Sequence, residues 1–524
     1  MTDSKSYKET VLLPQTSFDM RANATQREPE IQAFWAEQQI YETLSTDNPG
    51  EVFVLHDGPP YANGDLHIGH ALNKILKDTI NKYQLLKGRK VRYVPGWDCH
   101  GLPIELKVLQ AMDGEARAHL TPLKLRYKAR DFALKTIDRQ RKGFKRYGVW
   151  GDWEHPYMTL TPDYEAAQIE VFGQMYLKGY IYRGLKSVHW SPTSQTALAE
   201  AELEYPEGHT SPSIYAAFPM VSAAPAAAAA LEPYLGELGV AIWTTTPWTI
   251  PANLGVAVNP ALTYAVVAVA SGRPFQYLLI AKDLSDRMAQ VLGSDLTVKA
   301  EIQGAALEHS TYRHPLYDRV SPILIGGDYV TTESGTGLVH TAPGHGEEDF
   351  KVGQRYGLPI LCPVDEKGDM TEEAGPFAGL NVLKEANPAV IEALDKAGSL
   401  LKHEPYVHKY PYDWRTKKPT IYRATEQWFA SVEGFREQAL QAIQSVQWIP
   451  AQGENRITAM VSDRSDWCIS RQRTWGMPIP VFYDEETGEP LINADTLAHI
   501  KAIFVEKGSD AWWELPEAEL LPEQ

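Results

Sequence analysis

The chain has 524 residues, more than one hydrophobic core usually serves, so we expect two or three domains; its net charge of −17 speaks against a nucleic-acid partner. Its three cysteines are far apart and form no CxxC pair, which argues against a disulfide framework and indicates a reducing compartment. Residues 1–5 lack the features of a signal peptide and no stretch is apolar enough to span a membrane, so we expect a cytoplasmic protein without membrane contact.

The first predicted elements form a βαβ unit. Residues 51–56 are rich in Val and Phe and predict a short buried strand, and residues 90–94 predict a second strand that ends at Pro95. Strand, helix and strand begin a parallel sheet, which binds ligands at the carboxyl ends of its strands. Between the strands, apolar residues recur at helical spacing and predict a helix with one apolar face: Ile68, Leu72, Ile75, Leu76 and Ile80.

A strongly basic segment follows at residues 124–146, which contain ten Lys or Arg and two Asp. Such a run is typical of a solvated helix face. It is also compatible with a surface that contacts phosphate, because the local distribution of charge matters more than the total. Composition leaves both interpretations open.

Along the rest of the chain the predicted secondary structure changes twice. Residues 106–183 are predicted to be mainly helical, with breaks at Pro122, Pro156 and Pro162. Beyond residue 200, β-rich runs at 240–246, 263–269 and 276–281 predict a separate barrel-like β domain, and the alanine run at 223–230 predicts a surface excursion within it. Helix and strand patterns return near residue 406. We therefore expect an N-terminal extension (1–48), the first part of an α/β domain (49–198), an inserted β domain (199–404) and a return to the α/β domain (405–524).

His67 and His70 lie three residues apart where the first predicted helix begins. The N-terminus of a helix favours phosphate through its dipole and its unpaired N–H groups, and histidine N–H donors can stabilise charge on a phosphoryl oxygen. Gly69, between them, lets a planar group approach the backbone closely. Taken alone, these four residues are equally compatible with an amphipathic helix that carries two incidental histidines. Zinc binding by the pair is not expected, because no Cys, His or Glu completes a local site.

Longer blocks of sequence carry a more specific signal. The chain contains DGPPYANG at residues 57–64, HIGH at 67–70, ALNKILKD at 71–78, GWDCHGLPIE at 96–105 and DWCISRQRTWG at 466–476. In this order the blocks resemble the class I aminoacyl-tRNA synthetases, in the form found in the isoleucyl-tRNA synthetase family. The valine and leucine enzymes tend to differ around Cys99 and His100. The resemblance implies a Rossmann-type parallel-sheet catalytic domain interrupted by a β-barrel-like editing domain.

The resemblance also implies a reaction and its residues. The complete enzyme would activate isoleucine with ATP and Mg²⁺ and transfer it to tRNA(Ile), as a monomer. His67, Gly69 and His70 would bind ATP, with the two histidines catalytic. The amino acid would be bound by a further set: Gly58, Pro59, Asp98, Trp428 and Trp467. Asp98 would pair with the ammonium group of the substrate, because a charge-assisted hydrogen bond is strong and directional. The tryptophans would wall the side-chain pocket, although plain core packing is the alternative.

Two blocks in the β domain, WTTTPWT at 243–249 and GTGLVHTAPGHG at 335–346, resemble the editing site that the isoleucine, valine and leucine enzymes share. Asp349 would then hold the ammonium of a misattached amino acid, while Thr244, Thr245, Thr246 and His340 would line the pocket and help to position the hydrolytic water. A second site is needed because one methylene is worth roughly 1–3 kcal/mol in an apolar pocket, a general limit of which isoleucine against valine is the usual example.

The chain departs from the family pattern in two respects. Where many relatives carry cysteines, it has Ser191 and Ser194, and residues 412–415 contain no cysteine, so we expect no zinc site in this segment. The lysine-rich KMSKS block and the anticodon-binding helices do not occur before Gln524, so we expect an N-terminal part of a longer protein whose own activity is doubtful. A stand-alone editing or tRNA-binding module with a vestigial synthetase half is the alternative, although intact His67, His70 and Asp98 argue against decay.

Overall fold

The computed structural model describes residues 10–12, 16–17, 21–270, 275–462, 464 and 466–522. Residues 1–5, which carry the expectation of no signal peptide, lie outside these ranges. None of the helices in the described part of the chain has the length and apolar character to cross a bilayer. By its internal contacts the chain forms two compact units, residues 1–173 with 473–524 and residues 174–472. The four domain boundaries expected from the sequence stay a prediction.

The α-helices begin and end as follows: α1 (Ala24–Glu37), α2 (Ile40–Asp47), α3 (Ile68–Leu86), α4 (Leu102–Gln110), α5 (Gly114–Ala118), α6 (Pro122–Arg146), α7 (Pro162–Leu177), α8 (Ala228–Leu231), α9 (Ser285–Leu292), α10 (Glu347–Arg355), α11 (Ala386–Lys396), α12 (Arg436–Ser445), α13 (Gln452–Ser462), α14 (Ala494–Lys507), α15 (Ala511–Glu514) and α16 (Glu517–Leu520). Pro122 and Pro162, expected as breaks, are the first residues of α6 and α7, where proline has no N–H to lose.

The strands are β1 (Val52–Val54), β2 (Lys90–Arg92), β3 (Gly96–Trp97), β4 (Tyr157–Met158), β5 (Ile181–Ser191), β6 (Thr196–Leu198), β7 (Leu203–Glu204), β8 (His209–Ser222), β9 (Leu238–Thr244), β10 (Gly255–Val258), β11 (Thr263–Ala268), β12 (Tyr277–Ala281), β13 (Thr297–Gln303), β14 (Thr311–Arg313), β15 (Val320–Ile325), β16 (Val339–Thr341), β17 (Leu400–His408), β18 (Tyr412–Asp413), β19 (Ile421–Ala430), β20 (Trp467–Cys468), β21 (Phe482–Tyr483) and β22 (Pro490–Leu491). Those predicted near residues 240, 263 and 276 correspond to β9, β11 and β12.

The first unit contains the predicted βαβ arrangement. β1 and β2 pair in parallel with Phe53 opposite Val91, and α3 connects them. A second parallel pair joins β3 to β4. The expectation that β1 is buried was wrong, because Val52 and Val54 are exposed. The core of this unit lies instead around α4 and α6, and includes Trp97, Ile137 and Phe144.

The apolar face of α3 is exposed to solvent. The apolar stripe is exposed, with Ile68 at 85% and Leu72 at 62%. The buried face is largely polar and consists of Ala71, Lys74, Asp78, Asn81 and Leu85. Lys74 can lie inside because Asp57 accepts hydrogen bonds from it and from Lys77. The predicted helix with one apolar face was therefore confirmed, and that face is the exposed one.

A closed β-barrel forms the centre of the second unit. Its strands follow one another in the order β9, β16, β10, β15, β14 and β8, and antiparallel pairing of β8 with β9 closes the ring. The strands β12, β11 and β13 extend the sheet from β9, and β17 extends it from β8. A separate antiparallel sheet has the order β20, β19, β5 and β6. The predicted combination of an α/β part with a β-barrel is thus confirmed.

The alanine run at 223–230 was expected at the surface, but part of it packs into the barrel core. Ala224 and Ala227 are buried there together with Leu231. Small side chains let this segment lie close to the barrel, and the short helix α8 completes it. The surface prediction therefore holds for Pro225, Ala226 and Ala229 but not for Ala224 and Ala227.

Candidate functional site

His67 and His70 form a reciprocal cap at the start of α3. The Nδ1 of His67 accepts a hydrogen bond from the Gly69 N–H at 3.1 Å, and the Nδ1 of His70 accepts one from the His67 N–H at 3.2 Å. Because Nδ1 accepts in both rings, each neutral ring carries its proton on Nε2. Burial, followed by the neighbouring His67 and Lys74, lowers the pKa of His70. Two Nε2–H donors at a helix N-terminus suit an anion such as phosphate.

Gly69 is needed for this arrangement of the rings. A Cβ atom at this position would lie 3.0 Å from both Nδ1 and Cε1 of His67. That separation is tighter than an ordinary contact, so a side chain would push the His67 ring off the backbone. The two rings lie with their centroids 3.9 Å apart. Gly69 thus brings the two histidines together.

Asp98 lies beside the loop that contains Gly58 and Pro59. The Asp98 N–H donates to the Pro60 carbonyl and the Asp98 carbonyl accepts from the Ala62 N–H, each at 2.9 Å. These two hydrogen bonds hold the block at residues 96–105 against the block at residues 57–64. Gly58 is exposed and Pro59 and Asp98 are partly buried, so a ligand can reach all three. The structure therefore brings together the part of the expected amino-acid site that belongs to this unit.

Hydrogen bonds also link the block at residues 96–105 to the end of the block at residues 466–476. The Trp475 indole donates to the Cys99 carbonyl at 2.7 Å, and the Trp475 carbonyl accepts from the Gly101 N–H at 2.9 Å. The buried carboxylate of Glu105 accepts from the N–H groups of Thr474 and Trp475. Burial raises the pKa of the Cys99 thiol to about 12, so this thiol is protonated and unreactive.

Trp428 and Trp467 belong to the second unit, on the adjacent strands β19 and β20. Trp428 is buried and its ring lies 6.1 Å from that of Tyr176. Trp467 is 54% exposed and lines a cavity of about 340 Å³ between the β5–β19–β20 sheet and α10. Trp428 does not line that cavity, so the two rings do not face this cavity together.

Thr244 is the last residue of β9, and Thr245 and Thr246 form the turn that follows it. The Thr246 N–H donates to the Thr244 hydroxyl at 3.1 Å, and the two hydroxyls lie 3.2 Å apart. Residues 247–252 then form a 3₁₀-helix, in which the Thr249 hydroxyl donates to the Thr246 carbonyl at 2.8 Å. The threonine run is therefore a hydrogen-bonded turn at the edge of the barrel rather than the continuation of a strand.

His340 lies on β16, the neighbour of β9 in the barrel, and is linked to this turn through Thr249. Its Nε2 is 2.8 Å from the Thr249 hydroxyl and its Nδ1 is 2.8 Å from the Asn253 amide nitrogen. Burial, together with the smaller effects of nearby His314 and His345, lowers the pKa of His340 to about 3. The ring is neutral, and both of its nitrogens have partners.

Asp349 lies in the first turn of α10 and is attached to the end of β16. Its Oδ2 accepts a hydrogen bond from the Ala342 N–H at 2.9 Å. Burial raises the pKa of Asp349 to about 7; the Ala342 N–H opposes that shift and the neighbouring Glu348 adds to it. A carboxylate that lacks a cation and is costly to ionise is well suited to receive an ammonium group.

Ser191 and Ser194, which stand where many relatives carry cysteines, form hydrogen bonds with Asp413 in the segment 412–415. The hydroxyls of Ser191 and Ser194 donate to one oxygen of Asp413 at 2.8 and 3.0 Å. The other oxygen accepts from the N–H groups of Arg415 and Thr416. Over the described ranges, no group of three or more His, Cys, Asp or Glu side chains is placed to hold a metal ion. The expected absence of zinc stays a prediction.

The basic segment forms α6, and most of its cations are already paired. Arg126 is fully buried against Asp510 and Ser509. This pattern favours the structural interpretation of the basic run over a phosphate-contacting surface. The further ion pairs of the helix are Arg130–Asp510, Arg139–Asp65, Lys142–Asp138, Lys145–Glu154 and Arg146–Glu28.

The chain matches a known protein family. The profile of the family described as tRNA synthetases class I (I, L, M and V) matches residues 30–524. The chain belongs to this family. Among curated relatives, isoleucine–tRNA ligase of Gloeothece citriformis is 73% identical and that of a Nostoc species is 72% identical, each over the whole of this chain. The chain covers 55% of each relative, and so spans about half the length of the curated relatives it matches.

Two solved structures of this class are also similar. One is the ternary complex LeuRS–tRNA–LeuAMS from Agrobacterium radiobacter K84, with 19% identity and a TM-score of 0.35, covering 90% of this chain and 52% of the other. The other is GlLeuRS-CP1, with 15% identity and a TM-score of 0.29, covering 36% of this chain and 99% of the other. At these scores neither structure adds to the description of the fold.

Sequence reasoning missed several residues that the structure places in these sites. Asp57 and Lys74 form a buried pair next to the histidine cap. Thr249 and Asn253 form hydrogen bonds with His340, and Tyr312 donates to Asn253. Thr249 stands in the threonine-rich block and could have been included. Tyr312 is 59 residues from Asn253 and gives no local signal.

Proposed function

We propose that the chain contributes the ATP- and isoleucine-binding parts of an isoleucine–tRNA ligase, together with its hydrolytic editing site. Identity of 73% to such a ligase over the whole chain carries this proposal. The geometry supports it, since the histidine cap and the Asp98 loop lie in one unit and the threonine turn lies in a closed barrel. The substrates are isoleucine, ATP as its Mg²⁺ complex and tRNA(Ile), and the active species is a monomer.

Activation joins isoleucine to the nucleotide. A carboxylate oxygen of isoleucine attacks the α-phosphorus of ATP, the bond from that phosphorus to the bridging oxygen breaks, and pyrophosphate leaves. The Nε2–H groups of His67 and His70 donate to phosphate oxygens as charge develops on them. Asp98 receives the ammonium group, and so holds the carboxylate in line for attack.

Editing removes valine that has been attached to the tRNA. A water oxygen attacks the ester carbonyl carbon, the bond to the terminal ribose oxygen breaks, and that oxygen takes up a proton from the water. Asp349 receives the valyl ammonium group and the turn of Thr244–Thr246 lies along the pocket. Because Nδ1 and Nε2 of His340 already have partners, His340 acts by holding this turn and not as a general base.

Two measurements test the proposal. The chain joined to the C-terminal part of the Gloeothece relative should catalyse ATP–pyrophosphate exchange that depends on isoleucine. The chain by itself should hydrolyse valyl-tRNA and leave isoleucyl-tRNA largely intact. Exchange that is equally fast with leucine would contradict the isoleucine assignment. Hydrolysis of valyl-tRNA without any exchange would favour the stand-alone editing module.

A further inference from the structure

The side chain of Asp57 joins segments that carry the proposed ATP and amino-acid sites. It is fully buried, and its carboxylate accepts hydrogen bonds from Lys74 and from Lys77, the latter at 2.7 Å. Both lysines belong to α3, the helix that begins at the histidine cap. The oxygen that accepts from Lys74 also accepts from the N–H of Gly96, the first residue of the block at 96–105, at 3.3 Å. One buried carboxylate thus contacts both α3 and that block.

The amino-acid side of this junction is held together without the Asp57 carboxylate. The Asp98 N–H donates to the Pro60 carbonyl, and the Asp98 carbonyl accepts from the Ala62 N–H. The backbone carbonyl of Asp57 is fixed as well, because it accepts from the Tyr157 hydroxyl at 2.8 Å. None of these three bonds involves α3. Loss of the carboxylate should therefore leave the loop after Asp57 joined to the block that carries Asp98.

The carboxylate adds a link from these segments to the helix of the ATP site. Lys74 lies four residues after His70, on the same face of α3. Its side chain is 3% exposed beside Asp57, and its ammonium also donates to the Tyr93 hydroxyl at 3.3 Å. Lys77, less than one turn further along, adds a second ion pair to the same carboxylate. Because a buried ammonium without a counter-charge is costly, the Asp57 carboxylate holds this face of α3 against the loop.

We propose that Asp57 is a positioning residue that sets the ATP side of the site relative to the amino-acid side, an inference that rests on the proposed ligase function. The histidine cap belongs to α3, and Asp98 belongs to the block that is joined to the loop after Asp57. Attack of the isoleucine carboxylate on the α-phosphorus requires the two ligands to lie in line. Because Asp57 is fully buried, it touches neither ligand. It acts by fixing the helix that binds one ligand to the segments that bind the other.

The proposal is tested with Asp57→Asn in the chain joined to the C-terminal part of the Gloeothece relative. Because each ligand keeps its own contacts, the equilibrium affinities for isoleucine and for ATP should each change by less than about threefold. The rate of isoleucine-dependent exchange per active site should fall about tenfold or more, because the alignment of the reacting atoms is lost. Active sites are counted from the burst of isoleucyl-adenylate, so that a smaller folded fraction does not lower this rate.

Asp78→Asn is the matched control. Asp78 is also a buried carboxylate of the first unit, but it accepts from Lys82 at 2.6 Å and from the Trp150 N–H at 2.9 Å, which belong to neither proposed site. This variant should lose stability and keep its rate per active site. Lys77→Met is a second test should Asp57→Asn fail to fold, because it removes one hydrogen bond and keeps the buried pair. Its rate per active site should fall about two- to tenfold.

Amide hydrogen exchange provides a readout that does not depend on activity. In Asp57→Asn, exchange should become faster in residues 57–64 and in the first turns of α3, where the link is lost. In Asp78→Asn it should become faster around Trp150 instead, because the bond to the Trp150 N–H is the one removed. Exchange in residues 57–64 and α3 that is the same in both variants would overturn the proposal.

The outcomes separate this proposal from the ligase function itself. A lower rate per active site with both affinities kept in Asp57→Asn, and an unchanged rate in Asp78→Asn, supports the positioning role. A rate per active site equal to that of the control overturns it. A loss confined to isoleucine affinity also overturns it, since Asp57 would then act within the amino-acid site alone. If the unsubstituted protein shows no isoleucine-dependent exchange, the ligase function fails, while amide hydrogen exchange still decides whether Asp57 joins α3 to the loop.

Discussion

The Lys74 ammonium and the Asp57 carboxylate form an ion pair whose side chains are 3% and 0% exposed. Lys77 donates to the other oxygen of Asp57 at 2.7 Å. Removing one partner leaves a buried charge without compensation, which commonly costs about 3–5 kcal/mol. We expect Asp57→Asn to lower the free energy of unfolding by about this amount, measured by urea denaturation. Asp138→Asn, which breaks the exposed Asp138–Lys142 pair, should change it by less than about 0.5 kcal/mol.

The same pair predicts a pH dependence. Burial by itself raises the pKa of Asp57, but the two lysines outweigh it and hold the pKa below the ordinary value of 3.8. A lowered carboxyl pKa gives stability that is complete above the ordinary value and is lost as the pH falls through the lowered one. The difference in unfolding free energy between the chain and Asp57→Asn should therefore shrink below about pH 4. A difference that is constant from neutral pH to this range would contradict the ion-pair assignment.

The orientation of α3 shows what the sequence could predict and what it could not. The strand–helix–strand order follows from local patterns, and the structure has it. The spacing of apolar residues predicts a helix with one apolar face, but it does not show that this face is the exposed one. Burial of Lys74 depends on Asp57, which lies 17 positions earlier and pairs with it only in the folded chain.

In the barrel, too, some features follow from short stretches of sequence and others depend on residues that are far apart in the chain. Of its six strands, the sequence predicted β9 as a β-rich run, while the other two predicted runs form β11 and β12, which extend the sheet beyond the ring. The threonine turn was visible as part of a family block. The residues that hold His340 come from a 3₁₀-helix and the residue that follows it, with Thr249 91 residues and Asn253 87 residues before it. No local pattern connects positions so far apart. One sequence by itself therefore predicts the histidine but not its hydrogen-bond partners.

Asp98→Asn should weaken isoleucine binding far more than ATP binding. Loss of a charge-assisted hydrogen bond to the ammonium should cost roughly 1.5–3 kcal/mol, about ten- to a hundredfold in affinity. Both affinities are measured by equilibrium titration of the chain joined to the C-terminal part of the Gloeothece relative. Asp163→Asn, at the start of α7, is the control and should leave both unchanged. Equal losses for the two ligands would show that Asp98 does not bind the ammonium.

Asp349→Asn should abolish most hydrolysis of valyl-tRNA and spare isoleucine-dependent exchange. The pKa of about 7 means that the carboxylate is ionised above this pH, so enzymatic hydrolysis should increase as the pH rises through 7. In Asp349→Asn the hydrolysis rate should show no such increase around pH 7. Glu348→Gln is the control, because Glu348 lies on the surface beside Lys351 and should keep the increase. A pH profile shared by both variants would exclude Asp349 as the anchor.

Asp349→Asn should not destabilise the chain at alkaline pH. A carboxyl pKa raised by folding contributes stability that is complete below the ordinary value and is lost as the pH rises through the raised one. Above about pH 7 the buried charge therefore works against folding, and the uncharged amide avoids that cost. The unfolding midpoint in urea should be equal to or higher than that of the unsubstituted chain. A lower midpoint at this pH would mean that the charge is compensated.

The exposed apolar face of α3 should make the isolated chain self-associate. Ile68, Leu72, Ile75, Leu76 and Ile80 are all exposed at helical spacing, and such patches mark contact surfaces or aggregation sites. Burying one leucine is worth about 1.5–3 kcal/mol, so Leu72→Lys with Leu76→Lys should weaken association at least about tenfold. Sedimentation velocity over a concentration series measures this. Val505→Lys, at an exposed valine of α14, is the control and should behave as the unsubstituted chain. If the double variant associates as strongly as that control, another surface is responsible.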